Sequence, residues 1–283
     1  MRVMTWNIHS MVDGHTAHQL REVAALVAET RPDIVALQEV NQEIGAPLAG
    51  EALRAACGAA DVPSKVPLRE GNFALRLCGL LREGDGAWRF AWTAAHRGYE
   101  RLEEGVALLT RQGIEDVLAL PLTEDTPIPR QAAQPGQGMA DWRRRVALLV
   151  RTGGVWVGSV HCGWWRDELA PFAAQWARLE AGLPGTGPLL LLGDFNNPDA
   201  VRGEGYDLLR DRGWQDAWAC AGERDEGWTA RAGIDGWRGT ALPRMRLDLV
   251  LGRPGLTCSR CVTLRRDDLS DHAGVLADVT LGA

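Results

Sequence analysis

Leu189-Leu190-Leu191-Leu192-Gly193-Asp194-Phe195-Asn196-Asn197 is the stretch on which the fold turns. Four consecutive leucines predict a short strand buried on both faces. A glycine, an acid and two amides follow at once, so polar groups sit where the chain leaves a dry interior. Carboxylates and amides at the mouth of a buried strand are costly unless something there uses them. In sheet proteins, sites are built at such strand ends.

Working outward, the same pattern recurs. Asn7 lies at the end of a first strand near Val3–Ile8, and Gln38-Glu39 ends a second, Asp33–Gln38. His161 follows Val155–Val160, Asp248 lies inside the apolar run Leu247–Leu251, and Ser270-Asp271-His272 precedes a last strand, Gly274–Thr280. Further strands are expected at Phe73–Arg82, Trp88–Thr93, Val106–Thr110, Val117–Leu120, Val146–Arg151 and Ser259–Arg265. Helices are expected at Ala17–Thr30, Leu48–Ala59 and Pro171–Ala181. For the first of these, Thr16 and Gln19 fit a capping box and Leu20, Val23, Ala24 and Val27 form the apolar stripe. Thr123–Asp141, rich in Pro, Gly and Gln, predicts a long surface loop. Strands with helices between them fit an α/β fold in which two stacked sheets carry helices outside.

Composition narrows the function. The 283 residues are long enough to bury a large core without disulfides or structural metal. The formal charge of −6 excludes a uniformly basic nucleic-acid coat and leaves room only for a local basic groove. The six cysteines are scattered apart from Cys258-Ser-Arg-Cys261, and a lone C-x-x-C is a weak zinc signal. They are expected to be reduced thiols. No export signal or membrane span is evident, which predicts a cytoplasmic protein with no membrane partner.

Each polar residue alone has an ordinary reading as a turn, a cap or a satisfied core histidine. Together they are chemically specific. Asn7, Glu39 and Asp271 offer hard oxygen ligands and no thiolate, which suits Mg²⁺ or Mn²⁺ rather than zinc. His161 and His272, each near a carboxylate, suit contact with phosphoryl oxygens. Asp194 is a candidate base for a water nucleophile. The set predicts metal-assisted hydrolysis of a phosphate ester.

Thr5-Trp6-Asn7, Leu37-Gln38-Glu39-Val40, Gly105-Val-Ala-Leu-Leu-Thr-Arg111, Val160-His161, Gly193-Asp194-Phe195-Asn196, Arg246-Leu247-Asp248 and Ser270-Asp271-His272 occur in this order. The series resembles the endonuclease/exonuclease/phosphatase superfamily, whose members resemble DNase I. The resemblance implies one domain over residues 1–283. It also implies a four-layer α/β sandwich of two packed, mostly antiparallel sheets flanked by helices, with the site at one rim. By motif, Asn7 and Glu39 resemble the metal ligands, with Asp271 assisting. Asp194 resembles the carboxylate that activates water, and His161 the phosphate-binding histidine. Asn196 would hold the phosphoryl group, while Asp248 would hold the His272 ring and favour its imidazolium.

The surroundings of these motifs are similar to the sugar-phosphate phosphatase branch, represented by maltose 6′-phosphate phosphatase. His161 runs into Cys162-Gly163-Trp164-Trp165-Arg166-Asp167, and Gly227-Trp228-Thr229 and Ile234-Asp235-Gly236-Trp237-Arg238 come later. The chain holds 12 Trp, against 2 Tyr and 4 Phe, so some indoles are available for a binding surface. Indole faces cover sugar rings well, and acids and guanidiniums bind hydroxyls. Trp164, Trp165, Trp228 and Trp237 are the candidate ring contacts, Asp235 and Arg238 the candidate hydroxyl contacts, and Arg145 a candidate phosphate contact. A small phosphorylated sugar is therefore the expected substrate. The alternative is a DNA or RNA phosphodiesterase using the same centre, and a third possibility within the fold is a pseudoenzyme serving as an interaction module.

Overall fold

A computed structural model describes residues 1–123, 143–185, 187–234, 236–237 and 240–282. In chain order the elements are β1 (Arg2–Asn7), α1 (Thr16–Thr30), β2 (Ile34–Glu43), α2 (Glu51–Ala56), α3 (Phe73–Gly84), β3 (Arg89–Gly98), β4 (Leu102–Thr110) and β5 (Asp116–Pro121). Next come β6 (Val146–Thr152), β7 (Val155–His161), α4 (Phe172–Gly182), β8 (Leu189–Asp194), α5 (Gly205–Asp211), β9 (Gln215–Asp216), α6 (Ala217–Cys220) and β10 (Ala221–Arg224). The chain ends through β11 (Ala230–Arg231), β12 (Arg244–Met245), β13 (Asp248–Arg253), β14 (Thr257–Leu264) and β15 (Gly274–Thr280).

The strands build two large sheets, β10-β14-β15-β1-β2-β4-β3 and β5-β6-β7-β8-β13-β9. Alternation along each strand explains the layering. In β1 and β2, Val3, Ile34 and Ala36 face a core shared with Leu148, Val150, Leu190 and Leu192 of the other sheet. Their neighbours Met4, Trp6, Val35 and Leu37 face a second core closed by α1 and α3. On the far side, Leu149, Leu189 and Leu191 pack on Phe172 and Trp176 of α4 and Leu209 of α5. The order is therefore helices, sheet, sheet, helices, the four-layer α/β sandwich expected. Most pairings are antiparallel, but β1–β2, β7–β8 and β10–β14 are parallel.

Three expectations are corrected. Phe73–Arg82 is not a strand but lies in α3. Phe73, Ala74, Leu77, Cys78 and Leu81 are buried at helical spacing, and the Asn72 side chain accepts the Leu75 N–H at 3.1 Å as an N-cap. Thr16 and Gln19 make no capping box; Gln19 donates to the carbonyls of Ile8 and Leu269 at 2.7 and 2.6 Å and ties α1 to both ends of the chain. The second expected helix is also shorter, Glu51–Ala56. All six cysteines are free, and among the described residues no helix is long and apolar enough to cross a membrane. Of Thr123–Asp141, only Thr123 lies within the described residues.

The parallel pair β7–β8 is unusually close at its end. Gly193 has φ +155°, and a Cβ there would sit 1.9 Å from the Val160 carbonyl oxygen. Glycine is thus what lets Asp194 stand directly beside His161. Gly193→Ala is expected to cost about 3 kcal/mol or more of folding stability, which urea unfolding would read.

Candidate active site

The end of β1 and a bulge within β2 in one sheet meet the ends of β7 and β8 in the other at a single rim; β2 does not stop at Gln38-Glu39 as expected but runs on to Glu43. Asn7 carries the contact between sheets: its Nδ2 donates to Glu39 Oε1 at 2.9 Å and to Asp194 Oδ2 at 3.2 Å. Below it, Gln38 Nε2 donates to Ser159 Oγ at 3.0 Å, and Ser159 Oγ donates to the Leu37 carbonyl at 3.0 Å. Glu39 reaches the rim because the β2–β4 register shifts between Leu37 and Val40 and Glu39 itself has φ +52°. Such a bulge re-aims a side chain that the regular pleat would turn elsewhere.

Asp194 faces Asp248 across the β8–β13 ladder. Burial first, and then the Asp248 charge, push the Asp194 carboxyl up to about 7. His272 relieves this pair of acids. Its Nδ1 bonds Asp248 Oδ2 at 2.8 Å and its Nε2 lies 3.9 Å from Asp194 Oδ2, with side chains 6% exposed for His272 and 0% for Asp248. Burial opposes charge on this ring, but Asp248 and Asp194 outweigh it and raise the imidazole well above its ordinary value. The backbone is held too: Trp6 Nε1 donates to the His272 carbonyl at 2.8 Å, and Ser270 Oγ donates to the Asn7 carbonyl at 2.7 Å. Asp271 beside it is the exposed member of the set. On the β13 side, buried Arg246 pairs with Asp216 at 2.7 Å and Asp199 at 2.9 Å and fixes the strand that carries Asp248.

His161 stands opposite His272, with Nε2 3.8 Å from Asp194 Oδ2. Burial and the Arg145 charge hold it well below its ordinary value, so the two imidazoles differ in charge. Asn196, in a left-handed conformation with φ +50°, turns its Nδ2 to the Cys162 carbonyl at 3.0 Å and to His161 Nε2 and Asp194 Oδ2, both at 3.3 Å.

Three residues escaped the sequence. His9 Nδ1 pairs with Glu39 Oε2 at 2.8 Å; burial lowers the His9 pKa, but that pairing wins and raises it to about 9. Its position two residues after Asn7 was the available signal. Burial likewise opposes ionisation of Glu39, yet His9 and Asn7 hold its carboxyl well below the usual range. Glu104 and His96 face each other on β4 and β3, with Nε2 and Oε1 3.3 Å apart. Burial and the Glu39 charge push Glu104 up to about 8, and burial with the Arg145 charge pushes His96 down to about 3. The pair is therefore neutral, a protonated carboxyl against a neutral ring. Two acids directly before Gly105 in an apolar strand were the clue.

The aromatic candidates divide. Trp164 and Trp237 form a tilted pair with ring centroids 6.5 Å apart, and Trp237 Nε1 donates to Asn196 Oδ1 at 3.1 Å. Trp165 packs on Phe172 and joins the α4 core. Trp228 lies among the guanidiniums of Arg265, Arg244 and Arg231, at 3.7, 4.9 and 5.1 Å. Arg145 opens β6, where its charge bears on His161, His96 and Glu104. Asp235 and Arg238 lie outside the described residues.

Among the described residues, two groups have the chemistry to hold a divalent cation. Glu39, Glu104 and His161 bring ligand atoms within 4.8 Å of one another, and so do Asp194, Asp248 and His272. Asn7 Oδ1 accepts a long 3.3 Å bond from the His9 N–H. Oxygen donors predominate in both groups, and among the described residues neither includes a thiolate, which fits a hard cation at the Asn7–Glu39 side.

With this geometry in place, the profile of the Endonuclease/Exonuclease/phosphatase family matches residues 4–272. The chain belongs to this family. The Endonuclease/Exonuclease/phosphatase family is one of phosphoric ester hydrolases, generally dependent on a divalent metal, and the chain is a phosphoric ester hydrolase. Similar solved structures include a family protein from Leptotrichia buccalis C-1013-b, 22% identical over 99% of both chains with a TM-score of 0.77. A mannosyl-6-phosphatase from Bacteroides thetaiotaomicron VPI-5482 is 16% identical over 99% of both chains, TM-score 0.59. A 3′-5′ exonuclease from Neisseria meningitidis is 21% identical, covers 98% of this chain and 99% of its own, and has a TM-score of 0.60. At these identities the likeness is one of fold. No curated protein gives a significant match.

The raised Glu104 carboxyl makes stability depend on pH. The folded state keeps a proton that the unfolded chain loses above its ordinary carboxyl value, so this contribution is full in acid and is lost as pH rises toward about 8. Between about pH 5.5 and about 7.5, metal-free wild type is expected to lose about 2 kcal/mol more stability than Glu104→Gln. Urea unfolding in chelator at several pH values measures the difference.

Proposed function

We propose that the chain is a Mg²⁺- or Mn²⁺-dependent phosphomonoesterase that hydrolyses a sugar phosphate, with one domain over residues 1–283 carrying the site. The observation that carries the chemistry is the setting of Asp194: a buried carboxylate that faces Asp248 and has His272 Nε2 3.9 Å and His161 Nε2 3.8 Å from its Oδ2, where burial and the Asp248 charge push it up to about 7. A base poised near neutrality can accept a proton from water and release it again. Asn7 and Glu39, with Asp271 assisting, are the residues that would hold the cation, which when bound neutralises charge on the phosphate ester.

In this proposal Asp194 Oδ2 takes a proton from the attacking water. The water oxygen forms the new bond to phosphorus while the P–O bond to the sugar breaks, and the departing alkoxide takes a proton from solvent. The imidazolium of His272, held by Asp248, and the amide N–H of Asn196 stabilise the phosphoryl oxygens as charge builds. His161 and Arg145 contact the same group from the other side.

The Trp164–Trp237 pair supports the sugar. It stands beside Asn196, and tilted indole faces suit the apolar faces of a pyranose ring. The mannosyl-6-phosphatase among the similar structures accords with this choice. One observation favours the alternative of a DNA or RNA phosphodiesterase: Trp228 with three guanidiniums around it is a surface on which a base and its phosphates could rest. The free thiols suit a reducing, cytoplasmic setting.

A phosphate-release panel of hexose and disaccharide phosphates, run beside single- and double-stranded DNA and RNA with Mg²⁺, separates the two. Release from a sugar phosphate, abolished by chelator and restored by Mg²⁺ or Mn²⁺, is the expected outcome. Cleavage of nucleic acid with no sugar phosphate turned over would sink it. Asp194→Asn is expected to lower kcat by about 1,000-fold or more at unchanged folding stability. Survival of turnover in that variant would remove Asp194 from the mechanism.

A further inference from the structure

An asparagine amide has two nearly isosteric ends, and only its hydrogen-bond partners decide which way it faces. Asn196 has acceptors on one side: the Cys162 carbonyl at 3.0 Å and Asp194 Oδ2 at 3.3 Å. On the other side stands the Trp237 indole N–H, 3.1 Å from Oδ1. An indole nitrogen can only donate, so it accepts no arrangement but oxygen outward and nitrogen inward.

Trp237 is itself well placed to hold that position. Its backbone N–H closes a turn to the Ile234 carbonyl at 3.1 Å, and its ring packs with Ile234 and Leu242 on a small core of Ala230, Met245 and Leu247. Leu247 precedes Asp248, so the core that anchors Trp237 also adjoins the strand end bearing the partner of His272. Gly236 lies flat against Trp164: it has φ +86°, and a Cβ there would stand 2.7 Å from Trp164 Cζ2. Trp237 therefore forms half of the aromatic wall and one of the polar contacts of Asn196.

We propose that Trp237 is a positioning residue. Its indole N–H keeps the Asn196 amide nitrogen turned toward the reacting phosphoryl group, so that a leaving group packed on the Trp164–Trp237 wall and the polar centre share one mechanical support. The inference rests on the role given to Asn196 above. It assigns Trp237 an effect on turnover that a mere ring contact would not have.

Trp237→Phe keeps an aromatic ring and deletes the N–H. With maltose 6′-phosphate and with p-nitrophenyl phosphate as probes, kcat is expected to fall about tenfold while KM stays within about twofold. Trp164→Ala, which removes wall but no polar contact, is expected to raise KM chiefly. The contact has its own readout: the Trp237 indole N–H resonance, identified by its loss in Trp237→Phe, should shift and exchange faster with solvent in Asn196→Ala. An unchanged kcat in Trp237→Phe, a loss confined to KM, or an indole resonance indifferent to Asn196→Ala would each overturn the proposal. Should wild type turn over neither phosphomonoester but cleave DNA, the sugar reading falls. The kcat comparison on DNA, with the indole resonance, then decides the role of Trp237.

Discussion

A protonated imidazole between two buried carboxylates holds the centre of this protein together. Asp194 and Asp248 face each other on adjacent strands, shielded from water, and two such charges unrelieved would cost far more than any local packing returns. His272 relieves them, with one nitrogen on Asp248 and the other toward Asp194. Everything nearby serves to keep that ring in place. Trp6 fastens its carbonyl, Ser270 fastens its turn to β1, and Thr229 Oγ1 accepts the Asp248 N–H at 3.2 Å. Removing His272 would leave that pair of acids uncompensated, so the packing of the rim depends on this contact.

Asymmetry between the two histidines follows from their neighbours. His272 is surrounded by acids and His161 stands under Arg145, so buried rings of one type differ in charge. The centre thus offers one fixed positive group and one neutral donor or acceptor on either side of Asp194. Burial supplies the leverage, because in a dry site each neighbouring charge counts for more than it would in water.

Much of this was legible in the chain. Asn7, Glu39, His161 and Asp194 could be read because a polar residue after an apolar run is conspicuous, and Asp248 because it interrupts one; all five meet at one rim, although Glu39 lies within β2 and not at its end. What failed had a physical reason. Phe73–Arg82 is so rich in apolar residues that helical and strand periods could not be told apart, and the Asn72 cap was the missing arbiter. Glu104 was hidden because β4 begins four residues before Val106, and a buried neutral carboxyl looks like any surface acid in a sequence. The β2 bulge that aims Glu39 depends on one backbone angle, which no residue pattern announces.

Arg2 is bonded to Asp278, and β1 lies between β2 and β15, so the central strand of one sheet is completed only by the far end of the chain. During synthesis the acids at positions 194 and 248 emerge well before the histidine that neutralises them. A nascent chain cut between residues 248 and 272 would therefore present two mutually repelling carboxylates without the imidazolium that offsets them.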